Sequence, residues 1–352
     1  MRERGGGASG AGGADHDAEV RLQRSAGVRA GWLGGVSPPT WQDTKRSPDN
    51  RGGETPPLQP ARRQRSTAPR VAWRLQLRPM RRILLAITIA LLANIAAAQT
   101  YDVYAIRYAT IPGFPVNGLI KGADESRKID IAMMVWLVRG GGRNIVVDSG
   151  FYRPQFFKSW KVNDFVRPDE AVARAGVKPE EVTDVILTHA HWDHADGADL
   201  FPKAQIWIQK DEYRYYTADA WQPDGKHGGI ELEDMAYLLR ANTEGRLHLV
   251  DGDREILPGV RVFTGGRHTW ASQYVAITAK PGPIVLASDN MYLYENLDKH
   301  LPIAQTFDAA SNLAAQDRMK TLVKDPRFII PGHDPAVLTR FPKVVDGVVH
   351  IE

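Results

Sequence analysis

The chain has 352 residues, of which 43% are hydrophobic and 24% charged, and it contains no cysteine, so disulfide bonds and thiolate metal ligands are excluded. The formal net charge of +4 comes from the N-terminal part: residues 1–98 hold 16 Lys and Arg against 7 Asp and Glu, whereas residues 99–352 hold 29 against 34. Residues 99–352 are therefore mildly acidic, which argues against a nucleic-acid partner that needs a basic face.

The N-terminal part divides into two segments. Residues 1–79 are rich in Gly, Arg, Pro, Ser and Ala without a sustained apolar period, which is typical of disorder. From Met80 the sequence continues with two arginines, an apolar run over 83–95 and three alanines before Gln99, the pattern of a secretory signal peptide. We expect 1–79 to be an artefactual or non-native extension, 80–98 to be a signal peptide with Met80 as initiator, and the mature protein to be periplasmic or secreted. An uncleaved membrane anchor is the less favoured alternative, because the run is shorter than the ~20 apolar residues that span a bilayer.

After residue 98, short apolar strands alternate with turns and helices. Nine strands are predicted, of which the first two form a hairpin: 131–138, 144–147, 184–187, 205–208, 247–250, 260–263, 274–278, 284–287 and 328–330. Helices are predicted at 168–175 and 309–323, and a helical insertion with an aromatic-rich middle at about 210–242. This mixture, with polar residues concentrated at strand ends, predicts one α/β or layered domain over 99–352.

The closest spacing of candidate metal ligands in the sequence directly follows the predicted strand 184–187. Residues 188–197 read Thr-His-Ala-His-Trp-Asp-His-Ala-Asp-Gly. In an extended chain, residues two apart project to the same side, so His189, His191 and Asp193 can converge, whereas His194 turns off at the start of the next helix. Because imidazole and carboxylate groups both bind zinc, this one loop can supply two adjacent metal ions.

Further ligands must come from elsewhere in the chain, since each metal ion needs about four. His268, Asp289 and His333 each stand just past a predicted strand, where enzymes collect catalytic groups. The alternative to a metal site is that these are unrelated polar residues in loops. The close spacing of the histidines disfavours that alternative. We expect Asp148, at the end of the strand 144–147, to orient a ligand rather than to be one.

The pattern His-x-His-x-Asp-His, followed by a separate His, Asp and His, resembles the metallo-β-lactamase superfamily over roughly residues 131–342. The resemblance implies a four-layer αββα sandwich that holds two divalent metal ions, expected to be Zn²⁺. It also implies the division of the ligands: His189, His191 and His268 at one ion, Asp193, His194 and His333 at the other, and Asp289 between them.

Within this superfamily the chain is most similar to the N-acyl-homoserine lactonase branch, because Tyr292 follows Asp289 by three residues. In that branch such a tyrosine hydrogen-bonds the substrate carbonyl. Two alternatives stay open: Tyr292 packs and Tyr294 faces the site, or neither tyrosine faces it. The segment around His268 departs from many relatives, which have Pro-Gly before and after this histidine.

The resemblance implies a hydrolase that opens an N-acyl-homoserine lactone or a similar lactone. A metal-bridging hydroxide would attack the ester carbonyl, and Asp193 or Asp289 would carry the proton to the leaving group. The expected partner is a small-molecule substrate, and no membrane partner is expected beyond the secretion signal. Phe151, Tyr152, Phe156, Phe157, Trp160 and the aromatic residues of 210–242 are either core residues or walls of an acyl-chain pocket.

Other functions stay open on the same fold. A thioesterase or a β-lactamase is the first alternative, and a non-catalytic metal-binding protein is an alternative of a different class. A glyoxalase-type thioesterase is less expected because only 19 residues follow His333, too few for the helical domain that binds glutathione in that branch. A nuclease is less expected because the sequence lacks a basic face.

Overall fold

The computed structural model of the chain describes residues 99–352, so the predicted signal peptide and N-terminal extension lie outside the described residues. The described strands are β1 (Asp102–Pro115), β2 (Lys128–Gly140), β3 (Arg143–Val147), β4 (Asp184–Ile186), β5 (Gln205–Gln209), β6 (Leu247–Val250), β7 (Arg254–Leu257), β8 (Val260–Thr264), β9 (Gln273–Ala279), β10 (Gly282–Ser288), β11 (Ile329–Pro331), β12 (Lys343–Val345) and β13 (Val348–His350). The α-helices are α1 (Pro154–Ser159), α2 (Pro168–Arg174), α3 (Trp192–Ala195), α4 (Lys210–Thr217), α5 (Leu232–Thr243), α6 (Tyr294–Asp298), α7 (Ala309–Leu322) and α8 (Val337–Arg340). Within this range, none of the helices combines the length and apolar character that a membrane crossing requires.

The strands form two sheets. The larger has the order β12-β13-β1-β2-β3-β4-β5-β6, and the smaller has the order β11-β10-β9-β8-β7. In the larger sheet, β3, β4, β5 and β6 run parallel to one another, and the other neighbours are antiparallel. In the smaller sheet, β10 and β11 are parallel. The carboxyl ends of parallel neighbours lie side by side, which is where an α/β protein places its functional groups.

Alternate residues of β2 enter two different cores, as the two-residue period of a strand requires. Trp136 packs in a cluster that also contains Val275 of β9, so this core lies between the sheets. Met133 packs in a cluster that contains Leu238 of α5, on the other face of the larger sheet. Each such side chain stabilises the fold by about 1.5–3 kcal/mol relative to an exposed position. Since α7 contacts β10 of the smaller sheet, the layers run helix, sheet, sheet, helix, which confirms the expected α/β sandwich.

Every predicted strand and helix is present with bounds shifted by a few residues, and α4 and α5 occupy the predicted helical insertion. The longest strand, β1, was not predicted. Its pairing with β2 shifts register between Arg107 and Ala109 and again between Ile111 and Phe114. These irregularities interrupt the alternation of apolar and polar residues by which a strand is recognised in a sequence.

Candidate metal centre

The candidate residues gather where strands end. Asp148 directly follows β3, and His189 comes three residues after β4, the parallel neighbour of β3. Asp289 directly follows β10, and His333 comes two residues after β11, the parallel neighbour of β10. His268 lies in the connection between β8 and β9. The two sheets therefore bring residues that are far apart in the sequence to one edge of the sandwich.

The seven predicted ligand residues come together in two groups. In each group, one potential ligand atom from every residue lies within 4.8 Å of the others. The first group, called group 1 below, is His189, His191, His268 and Asp289; the second, called group 2, is Asp193, His194 and His333.

Asp289 faces both groups with different oxygens. Its Oδ2 lies 3.3 Å from Nε2 of His268 and 3.7 Å from Nε2 of His189. Its Oδ1 lies 3.0 Å from Nε2 of His333 and 3.3 Å from Nε2 of His194. A carboxylate that turns one oxygen to each of two ligand groups has the arrangement needed to bridge two cations.

The conformation of the local backbone explains why Asp193 belongs to group 2. His191 still has extended backbone, with φ −63° and ψ 150°, and α3 begins at the next residue. Asp193 and His194 therefore lie on a helical turn, and Oδ2 of Asp193 is 3.6 Å from Nε2 of His333. The strand alternation that predicted convergence of Asp193 with His189 and His191 is wrong beyond His191, because the helix starts there.

Several buried polar atoms of this site have no hydrogen-bond partner among residues 99–352. They are Nε2 of His189, Nε2 of His194 and Oδ1 of Asp289. Nε2 of His268 and Nδ1 of His191 face each other at 2.8 Å. Since buried polar groups are nearly always hydrogen-bonded, these atoms need a partner that the described part of the chain does not supply. A set of imidazole nitrogens and carboxylate oxygens suits zinc or a similar divalent ion, so the residues fit a metal centre.

Backbone carbonyls fix the tautomers of two histidines. Nδ1 of His268 donates to the carbonyl oxygen of Gln305 at 2.8 Å, and Nδ1 of His333 donates to that of Ala132 at 3.1 Å. A carbonyl oxygen only accepts, so the proton of each neutral imidazole sits on Nδ1 and the lone pair sits on Nε2. Both lone pairs are therefore directed at the centre.

Asp148 lies behind the histidines and orients them. Its Oδ2 accepts hydrogen bonds from Nδ1 of His194 at 2.9 Å and from the hydroxyls of Thr188 and Ser288 at 2.9 and 2.8 Å. The Thr188 oxygen in turn lies 2.9 Å from Nδ1 of His189. One buried carboxylate thus directs a histidine of each group, as outer carboxylates commonly do at metal sites.

Three residues beside the centre have backbone conformations that are unfavourable for side chains other than glycine. Asp148, Arg267 and Ser288 have φ values of 54°, 53° and 48°. Arg267 immediately precedes His268, and Ser288 immediately precedes Asp289. Such strain persists only where the surrounding structure enforces it, and it concentrates at functional sites.

The charges of the centre act in opposite senses on its titratable groups. Burial lowers the pKa of His191 to about 3, so its imidazole stays neutral with a free lone pair. Burial also disfavours the charged form of His194, but Asp289 and Asp193 outweigh it and raise the pKa of His194 well above its usual value. Burial alone would raise the pKa of Asp289, but His194 and His333 hold it well below the usual range. The carboxylate between the groups is therefore ionised and ready to bind a cation.

A cavity opens beside the centre. Its apolar wall consists of Ile111, Phe114, Leu119, Ile131, Met133, Trp160 and Trp192, and its polar wall includes His191, Asp193, Asp289, Tyr292 and His333. A largely apolar pocket with a few convergent polar groups is the usual form of a small-molecule site.

The two candidate tyrosines lie in different environments. Tyr292 lines the cavity, and its hydroxyl is 3.4 Å from Nδ1 of His268. Tyr294 belongs to the core between the sheets, with the Arg340 guanidinium 3.6 Å from its ring centre. Burial raises the pKa of Tyr292 well above its usual value, so its hydroxyl keeps the proton that a hydrogen-bond donor needs.

The aromatic residues that the sequence left as either core or pocket wall divide between the two. Trp160 lines the cavity, whereas Phe151 and Phe156 are buried in the core outside the larger sheet. Tyr152 donates to Asp199. The apolar wall comes mainly from β1 and β2 and from the segment between them, which the sequence did not place near the site.

A family model described as the metallo-beta-lactamase superfamily matches residues 134–333. The chain belongs to the metallo-β-lactamase superfamily. This membership agrees with the two ligand groups and with the sandwich of two sheets, and it confirms the predicted class, a metal-dependent hydrolase.

The chain is similar to curated proteins named N-acyl homoserine lactonase. An N-acyl homoserine lactonase of Bacillus sp is 28% identical over 200 residues, which cover 55% of this chain and 74% of that protein. An N-acyl homoserine lactonase of Bacillus cereus is 31% identical over 163 residues, which cover 46% of this chain and 59% of that protein.

Solved structures show the same fold. A quorum-quenching N-acyl homoserine lactone lactonase superposes with a TM-score of 0.58 at 22% identity, covering 70% of this chain and 98% of that chain. AidC, a dizinc quorum-quenching lactonase, superposes with a TM-score of 0.54 at 16% identity, covering 71% of this chain and 94% of that chain. These similarities confirm the fold of the described domain.

Proposed function

We propose that this chain is a dinuclear metal-dependent hydrolase that opens a lactone, with N-acyl-homoserine lactones or similar compounds as substrates. The observation that carries the proposal is the position of Asp289, whose two oxygens face the histidines of two different ligand groups. The names of the curated relatives support the lactone as substrate class.

Two divalent ions, for which Zn²⁺ fits the donor set best, would be held by group 1 and group 2 with Asp289 between them. When bound, such a pair supplies a water activated at neutral pH and polarises the carbonyl under attack. The chain contributes the neutral imidazole of His191 and the ionised carboxylate of Asp289 to such a centre.

Tyr292 and Asp193 are the proposed catalytic side chains besides Asp289. The protonated hydroxyl of Tyr292 lines the cavity and is placed to donate to the carbonyl oxygen of the substrate. The Asp193 side chain is 13% exposed and also lines the cavity, so its carboxylate can carry a proton to the leaving alkoxide. Both groups thus act from the side on which a substrate enters.

The apolar wall of the cavity suits the acyl chain of an acylated lactone. Leu119, Ile131 and Met133 line the cavity together with the aromatic side chains of Phe114 and Trp160. Burial of each methylene against such a wall contributes about 0.8 kcal/mol. If the natural substrates are acyl-homoserine lactones, their hydrolysis makes the protein a quorum-quenching enzyme.

The proposed location is the periplasm or the exterior of the cell. This proposal is supported by the sequence of residues 80–98, which has two arginines, an apolar run and three alanines before the expected cleavage site. N-terminal sequencing of the protein from its producing cells should give a start near Gln99. A mature chain that retains residues 1–79 would contradict export by this segment.

A pH-drop hydrolysis assay on a substrate panel tests the activity. The panel holds acyl-homoserine lactones, simple lactones, thioesters and a β-lactam. We expect turnover of lactones by the wild type, loss of turnover in His191→Ala, and retention in His248→Ala, whose histidine stacks on Trp207 at 4.2 Å outside the site. Turnover of only the thioesters or only the β-lactam would show that the protein is a thioesterase or a β-lactamase and not a lactonase. Zinc binding without any turnover would favour a non-catalytic metal-binding protein.

A further inference from the structure

A buried carboxylate outside the ligand set connects the two segments that present group 1. Glu212 lies on α4, and its side chain is fully buried. One of its contacts, Ala190, stands between His189 and His191, and the others follow His268 in the sequence. No pattern in the sequence marked this glutamate.

Three hydrogen bonds hold the carboxylate of Glu212. Oε1 accepts from the backbone N–H of Ala190 at 3.0 Å and from the hydroxyl of Thr269 at 2.6 Å. Oε2 accepts from the backbone N–H of Ala271 at 2.6 Å. Each carboxylate oxygen therefore engages the His268 segment, and one of them also engages the His189–His191 segment.

The cost of burying this group indicates that it has a specific role. Burial raises the pKa of Glu212, and within residues 99–352 no ion pair joins it to a lysine or arginine. A buried carboxylate without a partner of opposite charge is unfavourable unless hydrogen bonds compensate it. An uncharged side chain of similar size would avoid this cost but would not satisfy all three donors.

The contacts that orient group 2 are different. His194 is held by Asp148, and His333 is held by the carbonyl of Ala132. Glu212 forms hydrogen bonds with neither segment of that group. Loss of its carboxylate should therefore affect the two groups unequally.

We propose that Glu212 is a positioning residue that holds the His189–His191 segment against the His268–Ala271 segment and thereby sets the affinity of the group 1 metal position. It lies outside both ligand groups and acts through the facing nitrogens of His191 and His268, which lie 2.8 Å apart. The inference rests on the proposed two-metal function and specifies which of the two positions depends on α4.

The variant Glu212→Gln tests this role with little change in volume. A glutamine has one carbonyl oxygen and one amide that only donates, so at least one segment loses its acceptor. Asp211→Asn is the matched control, because it removes an exposed carboxylate from the adjacent position of the same helix. Circular dichroism and thermal melting of both variants check that the fold is retained.

Competition between the purified full chain and a chromophoric zinc chelator measures the two affinities. We expect two zinc equivalents in the wild type and in Asp211→Asn. In Glu212→Gln one equivalent should bind about 10- to 100-fold more weakly and the other unchanged, the usual effect of losing an outer partner of a ligand. Adding Glu212→Gln to His268→Ala should cause little further loss, whereas adding it to His333→Ala should cause the full loss.

Hydrogen–deuterium exchange provides a readout that does not depend on turnover. In Glu212→Gln the segments 188–191 and 268–271 should exchange faster together, both with and without zinc, and Asp211→Asn should match the wild type. Equal weakening of both zinc equivalents, or no change in either, would overturn the inference, as would acceleration of α4 alone. Failure of the wild type to bind zinc would instead contradict the proposed function and the inference together.

Discussion

Nδ1 of His194 donates a hydrogen bond to Oδ2 of Asp148 at 2.9 Å, and both side chains are fully buried. When the imidazole is neutral, this contact keeps its proton on Nδ1 and leaves the lone pair on Nε2, the atom that faces the centre. We expect Asp148→Asn to lower zinc affinity about 10- to 100-fold, because an asparagine cannot accept all the hydrogen bonds of the carboxylate. Chelator competition measures the loss, and wild-type affinity in this variant would show that the contact does not tune the site.

Tyr292→Phe should reduce turnover without releasing metal. Loss of one donor to a developing oxyanion commonly costs about 10²-fold in kcat, so we expect a decrease of roughly 10- to 100-fold with two zinc equivalents retained. Tyr294→Phe is the matched control, because Tyr294 packs in the core between the sheets. Full activity of Tyr292→Phe, or an equal decrease in both variants, would rule out a role for the Tyr292 hydroxyl.

Removal of the metal should lower the thermal stability of the domain. Without a cation, Nε2 of His189, Nε2 of His194 and Oδ1 of Asp289 are buried without a hydrogen-bond partner in the described domain. A ligand present at 100 times its dissociation constant stabilises the folded state by about 2.7 kcal/mol if it binds only that state. Scanning calorimetry should show a lower Tm after chelation and recovery after zinc is added; an unchanged Tm would show that no ion binds the folded protein.

The stability of the metal-free protein should fall as the pH rises toward 8. Arg153 contacts both Asp196 and Asp234, and burial, with Asp196 next, raises the pKa of Asp234 to about 8. The folded state therefore retains a proton that the unfolded chain, with the ordinary aspartate pKa of 3.8, has released. Between these two values the free energy of unfolding decreases with pH, by at most about 1.4 kcal/mol per unit from this group.

Asp234→Asn removes this proton linkage. Urea unfolding of the chelated protein between pH 5 and 8 should show a flatter dependence on pH for the variant than for the wild type. Relative to the wild type, the variant should be progressively more stable toward pH 8. Parallel curves for the two proteins would show that Asp234 is ionised throughout this range.

The candidate ligand residues could be predicted because they carry unusual chemistry at short spacing or just after recognisable strands. Strand alternation alone grouped Asp193 with His189 and His191, because the four-residue helix that starts after His191 leaves little periodic signal. The resemblance to the superfamily grouped Asp193 with His194 and His333. Glu212 and Gln305 were missed for a different reason. Their contacts involve backbone groups, which every residue possesses, so only the folded structure shows which segments they join.

The most direct test of the central claim is a crystal structure of the zinc-loaded protein with anomalous data collected at the zinc edge. We expect two anomalous peaks about 3.5–4 Å apart. One should contact the histidines of group 1, the other should contact group 2, and Asp289 should contact both. A single peak, or a second zinc ion that Asp289 does not contact, would contradict the dinuclear centre.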